Sequence, residues 1–500
     1  MRTTPIQLKK EEFRAIGHEL IDTLADLLAN LDELPVAVDQ EPADIRRLLP
    51  QELPETGGDA GLLIREAARV LIDRSTFTSH PQFYGYINGS VAPIGILGDL
   101  LASAINPNVG GWALSPVATE IEKQAVRWIC ELIGYPASGA GLFVSGGNMA
   151  NMVGFLAARA AQTDADVRTK GLAEVAPKLT AYVSHETHTW VQKAADLFGL
   201  GTDSIRWIGT DDQSRIDVAE LRRRITEDRA SGRQPFCVVG TAGTVSTGAV
   251  DPIRELRAVC DEFKLWLHVD GAYGAPAAAL ENAHEDLKAL ATADSVAVDP
   301  HKWLYVPFEA GCALVRDEAA LINAFLYRPA YYHFEGKEDD PRTSFYEMGL
   351  QNTRGFRALK VWLAIRHVGR RGYQQMIGDD IALSQLLFAE AEKHPELEAV
   401  TQGLSITTFR YVPHELRERA AEPDIAKYLN DLNTAILSHL QTGGEVFVSN
   451  AVVNDVYVLR ACITNWRTTE KHVRAVPGIV ARVGKQLHAH MGRQVLVTGR

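Results

Sequence analysis

Asp299-Pro300-His301-Lys302-Trp303 directly follows the apolar run Ser295–Val298. A lysine just past a buried strand end sits in a pocket rather than in open water. Burial disfavours the charged form of a lysine, which suits one that condenses with a carbonyl. Taken alone, the same lysine also reads as a surface residue in a turn. Its neighbours carry the argument further.

His268-Val269-Asp270-Gly271-Ala272-Tyr273-Gly274 closes a second strand-like run, residues 265–269 (LWLHV). A carboxylate followed by Gly-Ala fits beneath a flat ligand, because small residues let a ring approach the backbone. Such an aspartate can pair a protonated pyridine nitrogen, and it can equally cap a helix. Val144-Ser145-Gly146-Gly147-Asn148 joins a strand to a helix, where backbone N–H groups bind phosphate. It is neither G-x-G-x-x-G nor a Walker motif, and a glycine pair also makes a plain tight turn. Gly243-Thr244-Val245-Ser246 is a second small polar strand end that would complete a phosphate cup. Ser184-His185-Glu186-Thr187-His188 falls one residue short of H-E-x-x-H. Ring stacking suits His188 better than a metal, for which no further ligand cluster is evident. Phosphate cup, ring face, pyridinium partner and Schiff-base lysine are together what pyridoxal phosphate (PLP) needs.

The elements that must position these residues follow from the pattern. Buried strands are expected at residues 141–145, 181–184, 236–240, 265–269 and 295–298, with helical stretches such as 148–159 and 250–263 between them. That rhythm predicts an α/β domain around a mostly parallel sheet, whose ligands gather at the carboxyl ends of strands. Phe13, Ile16, Leu20, Leu24, Leu27, Leu28 and Leu31 form one apolar helical stripe, and a second helix runs from about Leu62 to Ile72. Neither has a core of its own, so another subunit or the rest of the chain must cover them. Residues 328–346 are polar, charged and aromatic without a period, as in a mobile lid. Alternating runs at 404–411 and 456–463 predict a smaller α+β domain at the C-terminus.

The chain has 500 residues, 46% hydrophobic and 23% charged, with net charge −12. That balance predicts a globular enzyme and argues against a nucleic-acid surface. Five scattered cysteines suit reduced thiols, and residues 1–13 lack the apolar core of a signal peptide. Residues 100–119 carry no charge, but their Asn, Pro and Gly disqualify them as a membrane span. A cytoplasmic protein with neither membrane nor nucleic-acid partner is expected.

The segments HVDGAYG and DPHKW, together with His80-Pro81-Gln82-Phe83-Tyr84-Gly85-Tyr86 and Trp112-Ala113-Leu114-Ser115-Pro116, resemble the group II PLP-dependent amino-acid decarboxylases of fold type I. The resemblance implies a PLP-dependent transferase-like large domain with a mostly parallel seven-stranded sheet. It implies an N-terminal dimerisation segment at 1–92, the PLP domain at 93–371, a small α+β domain at 372–500, and a homodimer. Lys302 would hold the internal aldimine, Asp270 would pair the pyridinium nitrogen, and His188 would stack on the ring opposite Ala272. Gly147, Asn148, Thr244, Asp299 and His301 would bind or frame the phosphate. Arg354 matches an arginine near the aspartate and cofactor, and with Tyr86 and Trp112 it is a candidate substrate contact. No metal is implied.

Within the lid, Tyr331 follows Pro329 by two residues, where such decarboxylases place the tyrosine that reprotonates the quinonoid. Phenylalanine there marks related aldehyde synthases, so Tyr331 favours an L-amino acid decarboxylase giving amine and CO₂. An aldehyde synthase or aminotransferase is the alternative, and a non-catalytic scaffold is a third reading that Lys302 and Asp270 oppose. Substrate class stays open. Aromatic-substrate members carry Tyr-Phe-Pro-Thr where this chain has Tyr86-Ile87-Asn88-Gly89, and an aromatic residue where it has Gly110-Gly111.

Overall fold

The computed structural model describes residues 4–163, 167–173, 178–327 and 342–498. All five expected runs are strands: β1 (Ala140–Val144), β2 (Leu179–Ser184), β4 (Gln234–Thr241), β5 (Trp266–Asp270) and β6 (Ser295–Val298). They are short, nearly all-apolar and buried, as strands covered by helices on both faces must be. Two further strands of the same sheet were not among the expected runs, β3 (Ile205–Ile208) and β7 (Gly311–Val315). The order across this seven-stranded sheet is β1-β7-β6-β5-β4-β2-β3. β7 runs antiparallel between β1 and β6, while the remaining pairings are parallel. One reversed strand in seven makes the sheet mostly parallel.

The helix Gly147–Gln162 lies against the sheet with Ala150 through Ala158 buried. Its small residues allow a close approach, and a Cβ on Gly154 would sit 2.6 Å from the His268 ring. The helix expected from residue 250 starts at Ile253, after Pro252, whose ring fixes φ and offers no N–H.

The two N-terminal helices form as Lys10–Ala29 and Ala60–Arg74, tied by a 3.0 Å Arg65–Glu19 ion pair. None of the first helix's residues is buried, and Phe13 is 65% exposed. Leu62, Leu63 and Leu71, with Leu97, Leu100, Leu101 and Ile105 of the helix Pro93–Ile105, are also exposed. Within one chain the apolar stripe is only partly covered: Leu31 is buried and Ile16, Leu20, Leu24, Leu27 and Leu28 are half-buried.

A second, antiparallel sheet has the order β10-β11-β9-β8, from β8 (Leu397–Gly403), β9 (Ile406–Tyr411), β10 (Ser449–Val453) and β11 (Val456–Cys462). β9 begins two residues later than its apolar run because Leu404 takes φ 45° to turn the hairpin. The helix Ala358–Lys393 runs through the expected boundary at 371/372. Gly369, with φ 69° and ψ 166°, divides it just before that point. All five cysteines are buried and free. Among the described residues no helix is long and apolar enough to cross a membrane.

Candidate active site

The four signal-bearing segments meet at the carboxyl ends of β1, β2, β5 and β6. Register brings them together: Asp270 pairs with Ala297 across β5 and β6. Past the strand ends, the Gly271 N–H donates to Ala297 O and the Asp299 N–H donates to Ala272 O, both at 3.1 Å. The Asp-Gly-Ala and Asp-Pro-His-Lys segments are thus stitched to each other. Pro300 opens the single turn Pro300–Trp303, a position where its missing N–H costs nothing. That turn presents Lys302 toward one cavity, which Ile87, Gly147, Asn148, Asn151, Glu186, His188, Thr241, Gly243, Val245, Asp270, Ala272, Tyr273 and Asp299 also border.

Lys302 Nζ lies 3.1 Å from Asp299 Oδ2, and the His301 ring approaches the same oxygen at 3.6 Å. The other Asp299 oxygen, Oδ1, is buried and finds no hydrogen-bond partner among the described residues, as is true of Thr241 Oγ1. Buried polar atoms left unpaired are costly, so both call for a ligand group. Burial lowers the His301 pKa, with Asp299 opposing, and its Nδ1 accepts from the Ala310 N–H at 3.2 Å.

Asp270 Oδ2 accepts from the Trp190 indole N–H at 2.9 Å, and Oδ1 accepts from the Ala272 N–H at 3.2 Å. His188 opens to solvent on the cavity side, yet protein crowds it enough for desolvation to lower its pKa. Asp270 opposes that shift and Lys302 adds to it. Behind Asp270, burial pushes His268 down to about 4, so its imidazole is neutral. It bonds Ser295 Oγ at 2.7 Å and Asn151 Oδ1 at 2.8 Å.

Gly147 is where the backbone permits no side chain. A Cβ there would lie 2.5 Å from Asp299 Oδ2 and 3.0 Å from Ala272 Cβ. It is also the first residue of the helix Gly147–Gln162, whose leading N–H groups lack intrahelical partners and face the cavity end of β1. A helix N-terminus at one end, a carboxylate at the other and a lysine between fit a flat, phosphorylated aldehyde cofactor.

Several expected contacts fall elsewhere. The Thr244 side chain is fully buried, its hydroxyl bonded to Thr247 Oγ1 at 3.0 Å and Ala249 N at 3.1 Å. It builds its own turn, and Thr241 and Gly243 border the cavity instead. Arg354 is also a correction: its guanidinium is consumed by Glu122, Val109 O and Phe143 O, at 2.5–2.8 Å. Trp112 donates to Glu120 and lines a separate, larger cavity of about 780 Å³ with Pro116, Thr343 and Phe345. Tyr86 is exposed, with φ 54°, and its neighbour Ile87 reaches the cavity. Gly110 makes room for backbone rather than for a ligand, since a Cβ would meet Asn352 O at 2.2 Å. His185 stacks on Trp207, 5.9 Å between centroids, apart from the cavity-lining His188. Tyr331 lies outside the described residues.

Trp190, Thr241 and Glu186 were missed from sequence. Only Trp190 carried a signal, an indole two residues past His188 at a helix start that must find an acceptor once buried.

Fold and cavity together define an enzyme class that binds a phosphorylated pyridine aldehyde on a lysine at the strand ends of an α/β sheet. The chain belongs to the pyridoxal-dependent decarboxylase family, whose conserved domain matches residues 42–412. Its cofactor is PLP, and the protein is a PLP-dependent carboxy-lyase acting on amino acids. It is 34% identical to an aromatic-L-amino-acid decarboxylase of Bacillus atrophaeus over 469 residues, 94% of each chain. It is 27% identical to a phenylacetaldehyde synthase of a Rosa hybrid cultivar, covering 93% of this chain and 92% of that one. The structure of Oryza sativa TDC with PLP and tryptamine superposes with TM-score 0.89 at 26% identity, over 97% of this chain and all of that one.

Proposed function

We propose that the chain decarboxylates an L-amino acid to its amine and CO₂, with Lys302 as the residue that carries the cofactor. The observation that carries this reading is the shared cavity of Lys302 and Asp270, held by hydrogen bonds between the ends of β5 and β6. In this reading Asp270 faces the pyridine nitrogen, while His188 and Ala272 bound the two ring faces. Gly147, Asn148, Asp299 and His301 hold or frame the phosphate end, and Thr244 contributes through its backbone turn. When bound, PLP supplies the electron sink that lets a carboxylate leave as CO₂.

The protein's own groups do the rest. Lys302 Nζ would hold the cofactor through its aldehyde and would stand as a free amine beside it while substrate is bound. Asp299, 3.1 Å from Nζ, steadies that amine in both states. The Tyr331 hydroxyl returns a proton to the substrate α-carbon, which completes the amine. Water would be excluded meanwhile by the segment expected as a lid, of which 328–341 lie outside the described residues, while Ser344, Phe345 and Tyr346 are buried and so belong to the body of the protein.

An aromatic side chain on the substrate is supported by the names of the relatives above, with Ile87 as an aliphatic wall of the cavity. A homodimer belongs to the same reading, supported by the exposed apolar residues of the N-terminal helices, Phe13, Leu62, Leu63 and Leu71. The division at 92/93 and 371/372 does too, and five buried thiols support a cytoplasmic setting.

Incubation of the PLP-loaded protein with each standard amino acid, scoring CO₂ and amine, tests this function. Release of both from an aromatic amino acid is expected. Aldehyde, ammonia and peroxide in place of amine would assign the protein to the aldehyde synthases. A protein with no borohydride-sensitive absorbance after PLP incubation would end both readings.

A further inference from the structure

The Trp190 side chain is wholly buried in the core behind the cavity and does not line it. Its indole N–H donates to Asp270 Oδ2 at 2.9 Å across 80 residues of sequence. The ring packs edge-on to Phe155 at 5.9 Å and to His268 at 5.6 Å, which fixes its plane. His268 is itself locked between Ser295 and Asn151. The Trp190 backbone N–H donates to His188 Nδ1 at 3.3 Å. One residue therefore fastens both the carboxylate at one edge of the cavity and the imidazole on its face.

We infer that Trp190 is a positioning residue for the cofactor ring: its indole N–H aims the Asp270 carboxylate at the pyridine nitrogen. This rests on the reading that Asp270 pairs that nitrogen. The physical ground is directional. A carboxylate at a strand end has a rotatable side chain, and a charge-assisted hydrogen bond on Oδ2 fixes its plane. With Ala272 N–H on Oδ1, each oxygen has one fixed donor and keeps acceptor capacity toward the cavity. The fixed aspartate meets the ring nitrogen without first being ordered, so affinity that ordering would have consumed is retained.

The test uses the apoprotein with two cofactors, PLP and 1-deazapyridoxal phosphate, in which C–H replaces the ring nitrogen. Trp190→Phe keeps an aromatic ring against Phe155 and His268 but removes the donor. Replacement of Trp190 by its benzothiophene analogue keeps the full bicyclic shape, should the smaller ring perturb folding. Both changes are expected to weaken PLP binding about tenfold, the scale of one hydrogen bond to a charged group. Binding of the deaza cofactor should move less than about twofold, because it has no nitrogen for Asp270 to meet. Equal loss for the two cofactors, or loss for neither, would refute the positioning role. Asp270→Asn separates the two layers of the argument. If it loses PLP selectively while neither Trp190 change does, only the Trp190 assignment falls. If Asp270→Asn binds both cofactors as the wild type does, the Asp270 assignment falls and that of Trp190 with it.

Discussion

Arg354 and Glu122 form a bidentate ion pair, Nη2 to Oε1 at 2.5 Å and Nη1 to Oε2 at 3.3 Å, with side chains 1% and 0% exposed. Glu122 also accepts from the Phe143 N–H, and Arg354 donates to Phe143 O. The pair therefore grips β1 immediately before Ser145-Gly146-Gly147. Arg354 secures the strand that delivers the helix N-terminus.

Removing one partner leaves the other charged and buried. Arg354→Met is expected to destabilise the fold by about 3–5 kcal/mol, as breaking a buried pair does. Arg354→Met combined with Glu122→Leu should recover much of that loss, because no unpaired charge remains. Urea unfolding of the two variants checks this, and a double variant no more stable than the single one would contradict it.

Gly147→Ala places a Cβ 2.5 Å from Asp299 Oδ2. The backbone must shift away from Ala272, which opens the proposed phosphate end. PLP affinity is expected to fall at least about tenfold, measured by titrating the apoprotein. Gly478→Ala, at an exposed helical glycine with nothing within 4 Å, is the control. It should bind PLP normally and gain up to about 1 kcal/mol from helix propensity.

Asp380 is buried behind the lysine turn, where its Oδ2 accepts from Trp303 Nε1 at 2.9 Å and Tyr305 OH at 2.7 Å. Burial raises its pKa to about 7; the Tyr305, Trp303 and Asn465 hydrogen bonds oppose the shift, and Asp379 adds to it. The folded state thus holds a proton that the unfolded chain releases at lower pH. Its stability contribution is full below the unfolded value and is lost as pH rises toward 7. Asp380→Asn removes this dependence while keeping an acceptor oxygen. Its stability relative to wild type should rise by about 1 kcal/mol per unit between pH 5 and 7, then level off. Buried Asp251, also raised to about 7, is common to both proteins and cancels in the comparison.

Tyr331→Phe is expected to cut amine formation by at least about a hundredfold, the usual scale for removing a positioned acid. Aldehyde and peroxide should appear in its place, read by product analysis under air. Undiminished amine would remove Tyr331 from the proton-donor role.

Much of this was legible in order along the chain. Each candidate motif ends an apolar run, and apolar runs bounded by turns are strands whose ends collect ligands. β7 was missed because its run, GCALV, follows the lysine segment with no helix-like spacer, the signature of a reversed strand. β3 was missed because IRWI is only four residues long, with Arg206 and Trp207 half-buried between its two isoleucines at the sheet edge. Gly110-Gly111 stands where aromatic-substrate members carry an aromatic residue, and the reason for Gly110 is the Asn352 carbonyl. Nothing in local spacing tells a glycine that admits a ligand from one that admits backbone.

By itself, the sequence determined which groups stand at strand ends: a lysine, an aspartate, a glycine cradle and a histidine, in an order that only a few chemistries use. Tertiary structure alone decided their partners. Asp299 meets Lys302 because a single helical turn folds one over the other. Trp190 meets Asp270 across 80 residues, and Arg354 meets Glu122 across 232. Such pairings depend on strand register and on the direction each side chain takes from its element. Period and composition carry neither, so Arg354 read as a cofactor neighbour until the sheet showed what it holds.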